Sequence, residues 1–285
     1  MNRKQENALK AFALDIRIGT LTALGARGFG HIGGSLSIAD ALAALYGGVM
    51  RVRPQQPDWP ERDKLVCSKG HAGPAVYAAL AQMGYFPSED LKTLNQPGTR
   101  LPSHCDRLKT PGVDMTTGSL GQGASLAVGM ALGDWLNGYD SRVFLILGDG
   151  EIDEGQVWEA CMFASAHALR NLCVLVDNNK KQLDGLVRDV LCTGDLVAKF
   201  AAFGFDAERV NGNDPVAVYN AACKTHPDKP RAIVLDTVKG AGIPEVESAP
   251  SNHSMTFAPG QVEAWMKALE EQRARLGDEA HEDRL

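Results

Sequence analysis

Short, wholly apolar runs alternate with amphipathic stretches through the second half of the chain. Residues 143–147, 172–176 and 232–235 are such runs, and their length and lack of polar positions predict strands buried on both faces of a sheet. Strands that alternate with helices indicate a mostly parallel sheet with helices on both faces, so we expect a doubly wound α/β domain. The helices predicted in this half cover residues 157–169, 196–203, 215–224 and 261–275.

The first half of the chain is predicted to be helical where apolar residues recur at near-helical spacing. Leu9, Phe12 and Ile16 begin such a pattern, which we expect to stop at Gly25. Residues 86–117 lack a period and contain several prolines and glycines, so they are predicted to form a long loop. Further predicted elements are a helix over 38–46 with Ser37 as its cap, a short strand beginning at Lys64, and helices over 74–83 and 126–135.

No change of composition divides the chain. We therefore expect one domain over residues 1–285, with residues 277–285 as a frayed tail. Of the 285 residues, 44% are hydrophobic and 22% are charged, which is enough apolar material for a sizeable core. The formal net charge of −6 argues against nucleic acid as a partner.

The sequence lacks the features of membrane and secreted proteins. No apolar run approaches the roughly 20 residues that a membrane helix needs, and the polar first ten residues contain no apolar secretory core. The six cysteines are scattered and form no C-x-x-C pair, a pattern that favours reduced thiols over a disulfide framework. We expect a cytoplasmic protein with no membrane partner.

Two of the predicted strands end in residues that suit a metal ion. Gly148, Asp149 and Gly150 follow the first strand, and residues 177–179 (Asp-Asn-Asn) follow the next. One strand-helix-strand unit separates them, so Asp149 and Asn179 should emerge at the same edge of the sheet. Carboxylate, amide and carbonyl oxygens suit Mg²⁺ or Ca²⁺, and protein-bound Mg²⁺ is usually held together with phosphates. Either motif alone is typical of a turn, but both at this spacing favour a metal-bridged diphosphate.

Four of the seven histidines are candidates for proton transfer. His31, His71, His104 and His253 lie in predicted loops, and histidine is the side chain best suited to moving protons near neutral pH. The other three are interpreted as surface residues: His167, His226 and His281.

The order of these motifs resembles a known enzyme family. Residues 148–160 and 177–185 resemble the thiamine-diphosphate signature that runs from a GDG sequence to a closing asparagine. Residues 30–42, 68–78 and 101–123 resemble the two GH segments and the TTG-x-LGQG segment of transketolases. The resemblance covers about residues 10–255 and implies the N-terminal, thiamine-diphosphate-binding subunit of a split bacterial transketolase, with the pyrophosphate-domain fold.

The resemblance implies roles for individual residues at the cofactor. The side chains of Asp149 and Asn179 and the carbonyl of Lys181 are implied to hold Mg²⁺, or Ca²⁺ or Mn²⁺ in its place, on the diphosphate. Gly150 is implied to donate its backbone N–H to a phosphate, and His71 to contact the diphosphate. The other implied cofactor-binding residues are Gly118, Ser119, Leu120, Gly148 and Glu151.

The remaining implied roles concern catalysis and assembly. His31, His104 and His253 are implied to line the donor site and, with His71, to handle protons and hydroxyls. Glu154 and Glu159 are implied to form the acidic pair that lies at an interface and links active sites.

A lone cofactor-binding chain implies a partner. In the family, the glutamate that activates the aminopyrimidine belongs to the following domain, so we expect a C-terminal transketolase subunit with the pyrimidine-binding domain, in an α2β2 assembly. The implied reaction transfers a two-carbon ketol unit from a ketose phosphate to an aldose phosphate. A pentose-phosphate role and catabolism of a branched, apulose-type pentose phosphate both remain open.

Other functions are compatible with parts of the pattern. The thiamine-diphosphate signature also fits a subunit of a 2-oxo-acid dehydrogenase or a fragment of a deoxyxylulose-phosphate synthase. A non-catalytic, regulatory half-transketolase is a further alternative. A nicotinamide dehydrogenase is disfavoured because the glycine-rich residues 25–30 follow a predicted helix and not a strand.

Overall fold

A parallel sheet of five strands runs through the centre of the computed structural model, which describes residues 1–183, 185–226 and 228–276. The strands in chain order are β1 (Phe29–Gly30), β2 (Lys64–Cys67), β3 (Val143–Gly148), β4 (Leu172–Asn178), β5 (Lys181–Gln182), β6 (Gly185–Leu186), β7 (Asp206–Asn211), β8 (Arg231–Asp236) and β9 (Met255–Thr256). The central sheet has the order β2–β3–β4–β8–β7, and each neighbouring pair in it is parallel. Short antiparallel ladders join β1 to β9 and β5 to β6.

Helices cover both faces of this sheet. They are α1 (Arg3–Arg27), α2 (Gly33–Leu36), α3 (Ala39–Ala44), α4 (Gly73–Met83), α5 (Gln122–Leu136), α6 (Gly155–Ala166), α7 (Val187–Val190), α8 (Leu196–Ala202), α9 (Pro215–Ala222), α10 (Pro244–Ser248) and α11 (Gln261–Arg275). No helix in the described part of the chain is long and apolar enough to cross a membrane. The predicted frayed tail at residues 277–285, with His281, lies outside the described residues.

Alternate residues of each central strand point into different apolar clusters. Phe144 and Ile146 pack in a cluster with α1, α3, α4 and α11, whereas Leu145 and Leu147 pack with α5, α6 and α8 on the opposite face. Side chains alternate across a strand, so a strand that is apolar at every position must be covered on both sides. The doubly wound α/β fold predicted from the apolar runs is confirmed.

The predicted end of the first helix is wrong by two residues. Helix α1 continues through Gly25 to Arg27, and Gly28, with a φ of 81°, provides the left-handed residue that ends it. Gly25 is a packing position, because a Cβ there would lie 2.8 Å from Val262 Cγ1 of α11. Close approach of two helices, and not helix termination, therefore explains this glycine.

The predicted helix over 38–46 is also corrected. The segment is divided into α3 and a π-helical turn, Leu45–Val49, and the short helix α2 precedes it. Ser37 is not the N-cap of α3, which begins after Ile38: it stands at the end of α2, and its buried hydroxyl donates to Asp177 Oδ2 at 2.7 Å. A hydroxyl that looks like a cap in sequence is thus used for a tertiary hydrogen bond.

Strand β7 was not predicted. It lies at the edge of the central sheet and contains Asp206, Glu208 and Arg209, so it presents no apolar run. Charged side chains are common on edge strands, where one side of the backbone is unpaired.

Helices α1 and α4 approach closely at Gly19, and this contact is testable. A Cβ at Gly19 would lie 2.9 Å from Ala78 Cβ, so Gly19→Ala is expected to lower the free energy of unfolding by about 1–3 kcal/mol. The matched control is Gly133→Ala in α5, where a Cβ meets no atom within 4 Å and alanine should stabilise the helix by about 0.5–1 kcal/mol. Urea unfolding of both variants measures the difference, and equal effects would contradict the packing role of Gly19.

Candidate active site

The carboxyl ends of β3 and β4 bring the two strand-end motifs together. Gly148 pairs with Asp177 in the sheet register, and the Asp149 N–H donates to the Asp177 carbonyl at 3.2 Å. A parallel register with one crossover places the ends of both strands at one edge. Asp149 and Asn179 therefore lie at the same edge of the sheet, as the spacing predicted.

A cavity of about 360 Å³ opens at this edge and collects most of the predicted site residues. Those that line it are His31, His71, His104, Gly118, Leu120, Gly148, Asp149, Gly150, Glu151, Asn179, Lys181 and His253. Ser119, Glu154 and Glu159 are not among the lining residues: the Ser119 carbonyl accepts from the Gln122 N–H at the start of α5, and both glutamates are exposed beside or on α6.

The three predicted metal ligands sit at one end of the cavity. Asp149 is buried, and its carboxylate accepts from the N–H groups of Gly150, at 3.0 Å, and of Lys180. Lys180 has a φ of 67°, a left-handed turn between Asn179 and Lys181, and the Lys181 N–H donates to Asn179 Oδ1 at 3.1 Å. The arrangement gathers one carboxylate, one amide oxygen and one carbonyl.

This donor set fits a hard cation that takes its remaining ligands from groups outside this set. Within the described ranges, no group of three or more His, Cys, Asp or Glu side chains is arranged to hold a metal ion. Mg²⁺ typically takes one or two protein carboxylates and fills its other positions with phosphate oxygens and water. The Gly150 N–H, which the resemblance assigns to a phosphate, donates to Asp149 Oδ1 in this structure.

Asp177 is the fully buried centre of the hydrogen-bond network behind these ligands. Burial raises its pKa, but the Lys69 ammonium at 2.5 Å and the surrounding hydrogen bonds outweigh burial and hold the pKa below its ordinary value. The carboxylate accepts from Ser37 Oγ, Lys69 Nζ, Asn179 Nδ2 and Thr237 Oγ1. The bond to Asn179 fixes the orientation of the amide, whose oxygen accepts from the Lys181 N–H.

The electrostatics of the cavity suit a divalent cation together with a polyanion. Burial, followed by the neighbouring Asp177 carboxylate, raises the pKa of Asp149 to about 7. Burial and the like charge of Lys69 lower the pKa of Lys239 to about 8. Lys239 Nζ donates to the Lys181 carbonyl at 2.9 Å, so positive and negative groups are held on the same wall. A bound metal ion would offset the negative charge of the buried Asp149, and a bound diphosphate would offset the positive charges of Lys69 and Lys239.

Lys69 and Lys239 were not selected from the sequence, although both line the cavity. Lys69 stands two residues before His71 in a segment that carried the resemblance. Lys239 follows the end of β8 by three residues, the same strand-end position that singled out Asp149 and Asn179. The strand-end argument, applied to the third apolar run, could have found Lys239. Gln182 and Leu183 also line the cavity without having been selected.

Two glycines let side chains of the cavity wall pack directly against the backbone. A Cβ at Gly34 would lie 3.1 Å from His71 Nε2, and one at Gly150 would lie 2.8 Å from Gln182 Cβ. Both glycines line the cavity, so a side chain at either position would disturb its wall. The buried cations and the carboxylate of Asp149 together fit a metal-bound diphosphate.

Glu151 joins three loops around the cavity. Its carboxylate accepts from Ser68 Oγ, from the Gly121 N–H at 2.8 Å and from the Gly148 N–H at 2.9 Å. Burial raises the pKa of Glu151, while these hydrogen bonds favour the charged form. Because both oxygens bind protein groups, Glu151 holds the loops of the site in place.

Four histidines form a cluster at the other end of the cavity. The His31 ring lies 5.6 Å from His71, 5.8 Å from His104 and 5.2 Å from His253, measured between ring centroids. His71 and His253 are 4.7 Å apart. The structure thus brings together all four loop histidines that the sequence singled out.

The environment keeps these imidazoles neutral. Burial is the main cause that lowers the pKa of each, and it acts almost alone on His104. Lys69 adds to it at His71, and Lys239 adds to it at His253, whose pKa falls to about 4. Neutral imidazole has one donor and one acceptor nitrogen, so each ring can donate a hydrogen bond to a hydroxyl group and accept one from it near pH 7.

Comparisons with known proteins agree with this arrangement. A family model described as the thiamine diphosphate binding domain of transketolase matches residues 8–274. The chain is 46% identical over 273 residues to the 6-deoxy-6-sulfo-D-fructose transketolase subunit SqwG of Clostridium sp. (strain MSTE9), covering 95% of this chain and 99% of that protein. It is 37% identical over 264 residues to one of the named subunits of the apulose-4-phosphate transketolase of Actinobacillus succinogenes, covering 92% of this chain and 95% of that protein.

Longer transketolases contain the same fold as one part of a larger chain. The crystal structure of transketolase from Campylobacter jejuni superposes with a TM-score of 0.84 at 30% identity, covering 96% of this chain and 43% of that one. The transketolase of Treponema pallidum is 35% identical over 276 residues, which is 42% of its length. The chain therefore spans less than half of these longer relatives.

His71 is expected to make the folded chain sensitive to mild acid. Because burial lowers the pKa of folded His71, the unfolded chain binds a proton first, and stability present above about pH 6.5 is lost as the pH falls below it. His71→Asn should remove this loss, which amounts to at most about 1.4 kcal/mol per pH unit. Urea unfolding between about pH 7.5 and about pH 5.5 measures it.

The comparison is made between variant and unaltered chain at each pH. Asp149 acts in the opposite direction, since its raised pKa means that the folded chain binds a proton more readily, but it is present in both proteins and cancels. The exposed His167→Asn is the control and should keep the original dependence. Identical pH dependences for His71→Asn and the unaltered chain would refute the assignment.

Proposed function

Because the chain belongs to the thiamine-diphosphate-binding family of transketolases, we propose that it is the cofactor-binding subunit of a two-subunit transketolase. One observation carries the proposal: a metal-binding set at Asp149, Asn179 and Lys181 shares a single cavity with four neutral histidines. A cofactor held by its diphosphate at one end would present its reactive part to the histidines at the other.

The residues at the diphosphate end are proposed to act by charge and position. Asp149, Asn179 and the Lys181 carbonyl would hold Mg²⁺, and Lys69 and Lys239 would balance the phosphate charge. When bound, thiamine diphosphate supplies a carbon nucleophile and stores the electrons of the transferred two-carbon unit. The protein has to supply orientation and electrostatics, which a pre-built, buried set of charges provides without reorganisation.

The histidines are proposed to manage the hydroxyl groups of the sugar. Ketol transfer breaks a carbon–carbon bond beside a hydroxyl, whose proton must leave, and the reverse step with the acceptor returns a proton. His31, His104 and His253 have lowered pKa values, so their rings are neutral near pH 7, with one nitrogen to donate to a sugar hydroxyl and one to accept from it, and a proton taken up by a ring is readily given back.

A second subunit is proposed to complete the site. The mouth of the cavity carries exposed apolar side chains, Leu120 at 39% and Leu183 at 68% exposure. The longer transketolases contain more than twice this chain's matched length, and the two relatives of similar length named above are themselves called subunits. We infer a partner that carries the pyrimidine-binding domain and covers this mouth, in an α2β2 complex.

The substrates are proposed to be sugars with a terminal anionic group. The names of the relatives include a sulfo-fructose and a sugar phosphate, both of which carry such a group. The four histidines of this chain are arranged for hydroxyl groups, so the anion is expected to be bound mainly by the partner. A ketose phosphate and a sulfo-ketose are accordingly the two donors to compare.

The α5–α6 face is proposed to contact a second copy of the chain. Met162 and Phe163 on α6 and Leu126 on α5 are large apolar side chains that stay exposed, and Glu159 lies among them. A Cβ at Gly129 would meet no atom within 4 Å, so the face is flat enough for another helix to approach. The resemblance places Glu154 and Glu159 at such an interface, which agrees with their absence from the cavity lining.

Cofactor binding and activity are expected to require the partner. Calorimetric titration of thiamine diphosphate with Mg²⁺ should show tight binding to the mixture of this chain and the C-terminal subunit, and weak or no binding to the chain alone. Ketol transfer from xylulose 5-phosphate, hydroxypyruvate or a sulfo-ketose should appear in the same mixture only. A mixture that binds cofactor without any transfer would indicate a regulatory half-transketolase instead.

Asp149 is expected to be essential for that binding. Asp149→Asn keeps the shape of the side chain but removes the charge, and should weaken cofactor binding at least about 100-fold, because a buried carboxylate–metal contact is lost. Asp134→Asn is the matched control, since Asp134 is also buried but pairs with Lys64 at the opposite edge of the sheet. Equal losses in the two variants would show a stability effect and not a metal site.

The interface of the α5–α6 face is tested by self-association. Met162→Asp places a charge on the apolar face and should shift the complex toward single αβ pairs in sedimentation velocity, because burying an unpaired carboxylate is costly. Leu108→Asp, at a side chain that is 83% exposed in a loop, serves as the control and should leave the assembly unchanged. An unaltered sedimentation profile for Met162→Asp would exclude this face as the interface.

A further inference from the structure

The segment from Thr237 to Gly242 carries Lys239 into the cavity. It follows β8, and Gly240 and Gly242 have φ values of 91° and 97°, which turn the chain sharply away from the sheet. The Lys239 side chain is buried, with Nζ 2.9 Å from the Lys181 carbonyl and 3.4 Å from His253 Nδ1. Where this backbone lies therefore decides where the ammonium group lies.

Several side chains from outside the cavity hold this backbone. Asn252 Nδ2 donates to the Lys239 carbonyl at 2.9 Å, and Glu247 Oε1 accepts from the Gly242 N–H at 2.8 Å. Two others act on either side of Lys239. The Val238 N–H donates to Asn213 Oδ1 at 2.8 Å. Arg17 Nε of α1 donates to the Ala241 carbonyl at 2.8 Å. Neither side chain lines the cavity. Both bonds reach the segment through its backbone, one residue before and two residues after Lys239.

Asp40 of α3 joins these two side chains. The Arg17 guanidinium makes two bonds to the Asp40 carboxylate, at 2.5 and 3.3 Å, and Asn213 Nδ2 donates to Asp40 Oδ2 at 3.3 Å. Arg17 and Asp40 are both buried. A guanidinium paired in this forked way has a fixed plane, so its remaining donor, Nε, points in a fixed direction. Here that direction is toward the Ala241 carbonyl.

The contact between Arg17 and the segment is close as well as polar. A Cβ at Gly242 would lie 2.7 Å from Arg17 Nε, so only glycine lets the backbone approach the guanidinium at this point. Burying an ion pair is costly unless its hydrogen-bonding groups are satisfied. One of the hydrogen bonds that Arg17 needs is accepted by the Ala241 carbonyl, which belongs to the segment that carries Lys239.

We propose that Asn213 and the Arg17–Asp40 pair form a positioning cluster that sets the place of Lys239 at the diphosphate end of the cavity. The proposal rests on the proposed function, since it assigns the consequence to cofactor binding. The three side chains touch neither the metal-binding set nor the cavity, and they act through the backbone of residues 238–241. Asn213 Nδ2 also donates to the Ser37 carbonyl at 3.4 Å, and Ser37 binds Asp177, so the test has to separate an effect through Lys239 from an effect through Asp177.

Asn213 offers the cleaner test because it is partly exposed, in the loop between β7 and α9, and its loss leaves the Arg17–Asp40 pair intact. Asn213→Ala should weaken binding of thiamine diphosphate with Mg²⁺ to the complex about 3- to 10-fold, the range that follows from losing the one neutral hydrogen bond by which Asn213 holds the segment, the bond from the Val238 N–H. Arg17→Lys is the second variant: it keeps a cation beside Asp40 but loses the directed Nε donor, and should act in the same direction.

The deciding measurement is a double-mutant cycle with Lys239→Met, by calorimetry on the assembled complex. If Asn213 acts through Lys239, adding Asn213→Ala to Lys239→Met should change the cofactor dissociation constant less than about 1.5-fold, because the group being positioned is gone. The matched control is Asn171→Ala, whose side chain donates to the Ala131 carbonyl at 2.9 Å at the other edge of the sheet. It should leave the dissociation constant unchanged in both backgrounds.

A second measurement does not depend on cofactor binding. The rate at which an amine-reactive reagent labels Lys239 in the assembled complex without cofactor should rise in Asn213→Ala and Arg17→Lys, while the rate for the similarly buried Lys69 should not. If Lys239→Met leaves no measurable cofactor binding, the labelling rates test the positioning cluster in place of the double-mutant cycle.

The outcomes separate the two proposals. If the unaltered complex binds no thiamine diphosphate, the proposed function fails, whatever the variants do. If it binds and both Asn213→Ala and Arg17→Lys bind equally well, the positioning cluster is refuted. The same holds if Asn213→Ala weakens binding by the same factor with and without Lys239, since that result indicates a general structural effect.

Discussion

The site is organised around the buried carboxylate of Asp177. This group has no access to solvent and accepts hydrogen bonds from four side chains that come from four separate segments of the chain. A buried charge is tolerated only when it is paired and its lone pairs are used, so each of those segments has to be in place for the fold to be stable. The segments that satisfy Asp177 are the ones that form the cavity, and this ties the stability of the core to the geometry of the site.

Charges of like sign are held close together as a consequence. Burial is the main cause of the pKa shifts of Asp149, Lys239 and His71; Asp177 adds to the rise at Asp149, and Lys69, which Asp177 holds in place, adds to the fall at Lys239 and His71. Such an arrangement is costly in an apolar surrounding and is typical of functional sites. It becomes favourable when a divalent cation meets the carboxylate and a diphosphate meets the lysines. Burial keeps the nearby imidazoles neutral, and the charges of Lys69 and Lys239 add to it at His71 and His253.

The chain builds one wall of a site and leaves apolar surface at the mouth of the cavity, near Leu120 and Leu183. Its relatives of similar length are named as subunits, and longer relatives contain the same fold as less than half of their chain. The fold retains a complete core by itself, because the parallel sheet is covered on both faces. Under the proposed function, division of a transketolase into two chains therefore costs the cofactor-binding part little stability, while it makes catalysis depend on assembly.

Sequence alone determined the fold class, because runs such as 143–147 are apolar at every position and only a doubly covered strand explains that. It also determined that Asp149 and Asn179 share an edge, since one crossover fixes the direction of consecutive parallel strands. The four loop histidines followed from residue type and the family resemblance. Tertiary structure alone decided the use of Ser37, which lies 140 residues from its partner Asp177, and the placing of Lys69 and Lys239 against the metal-binding set. The end of α1 at Gly28, the packing role of Gly25 and the charged edge strand β7 were decided there too. The physical reason is the range of the interactions: periodicity and turn chemistry act between near neighbours and can be read locally, whereas a buried charge is satisfied by whichever distant segments the fold brings to it.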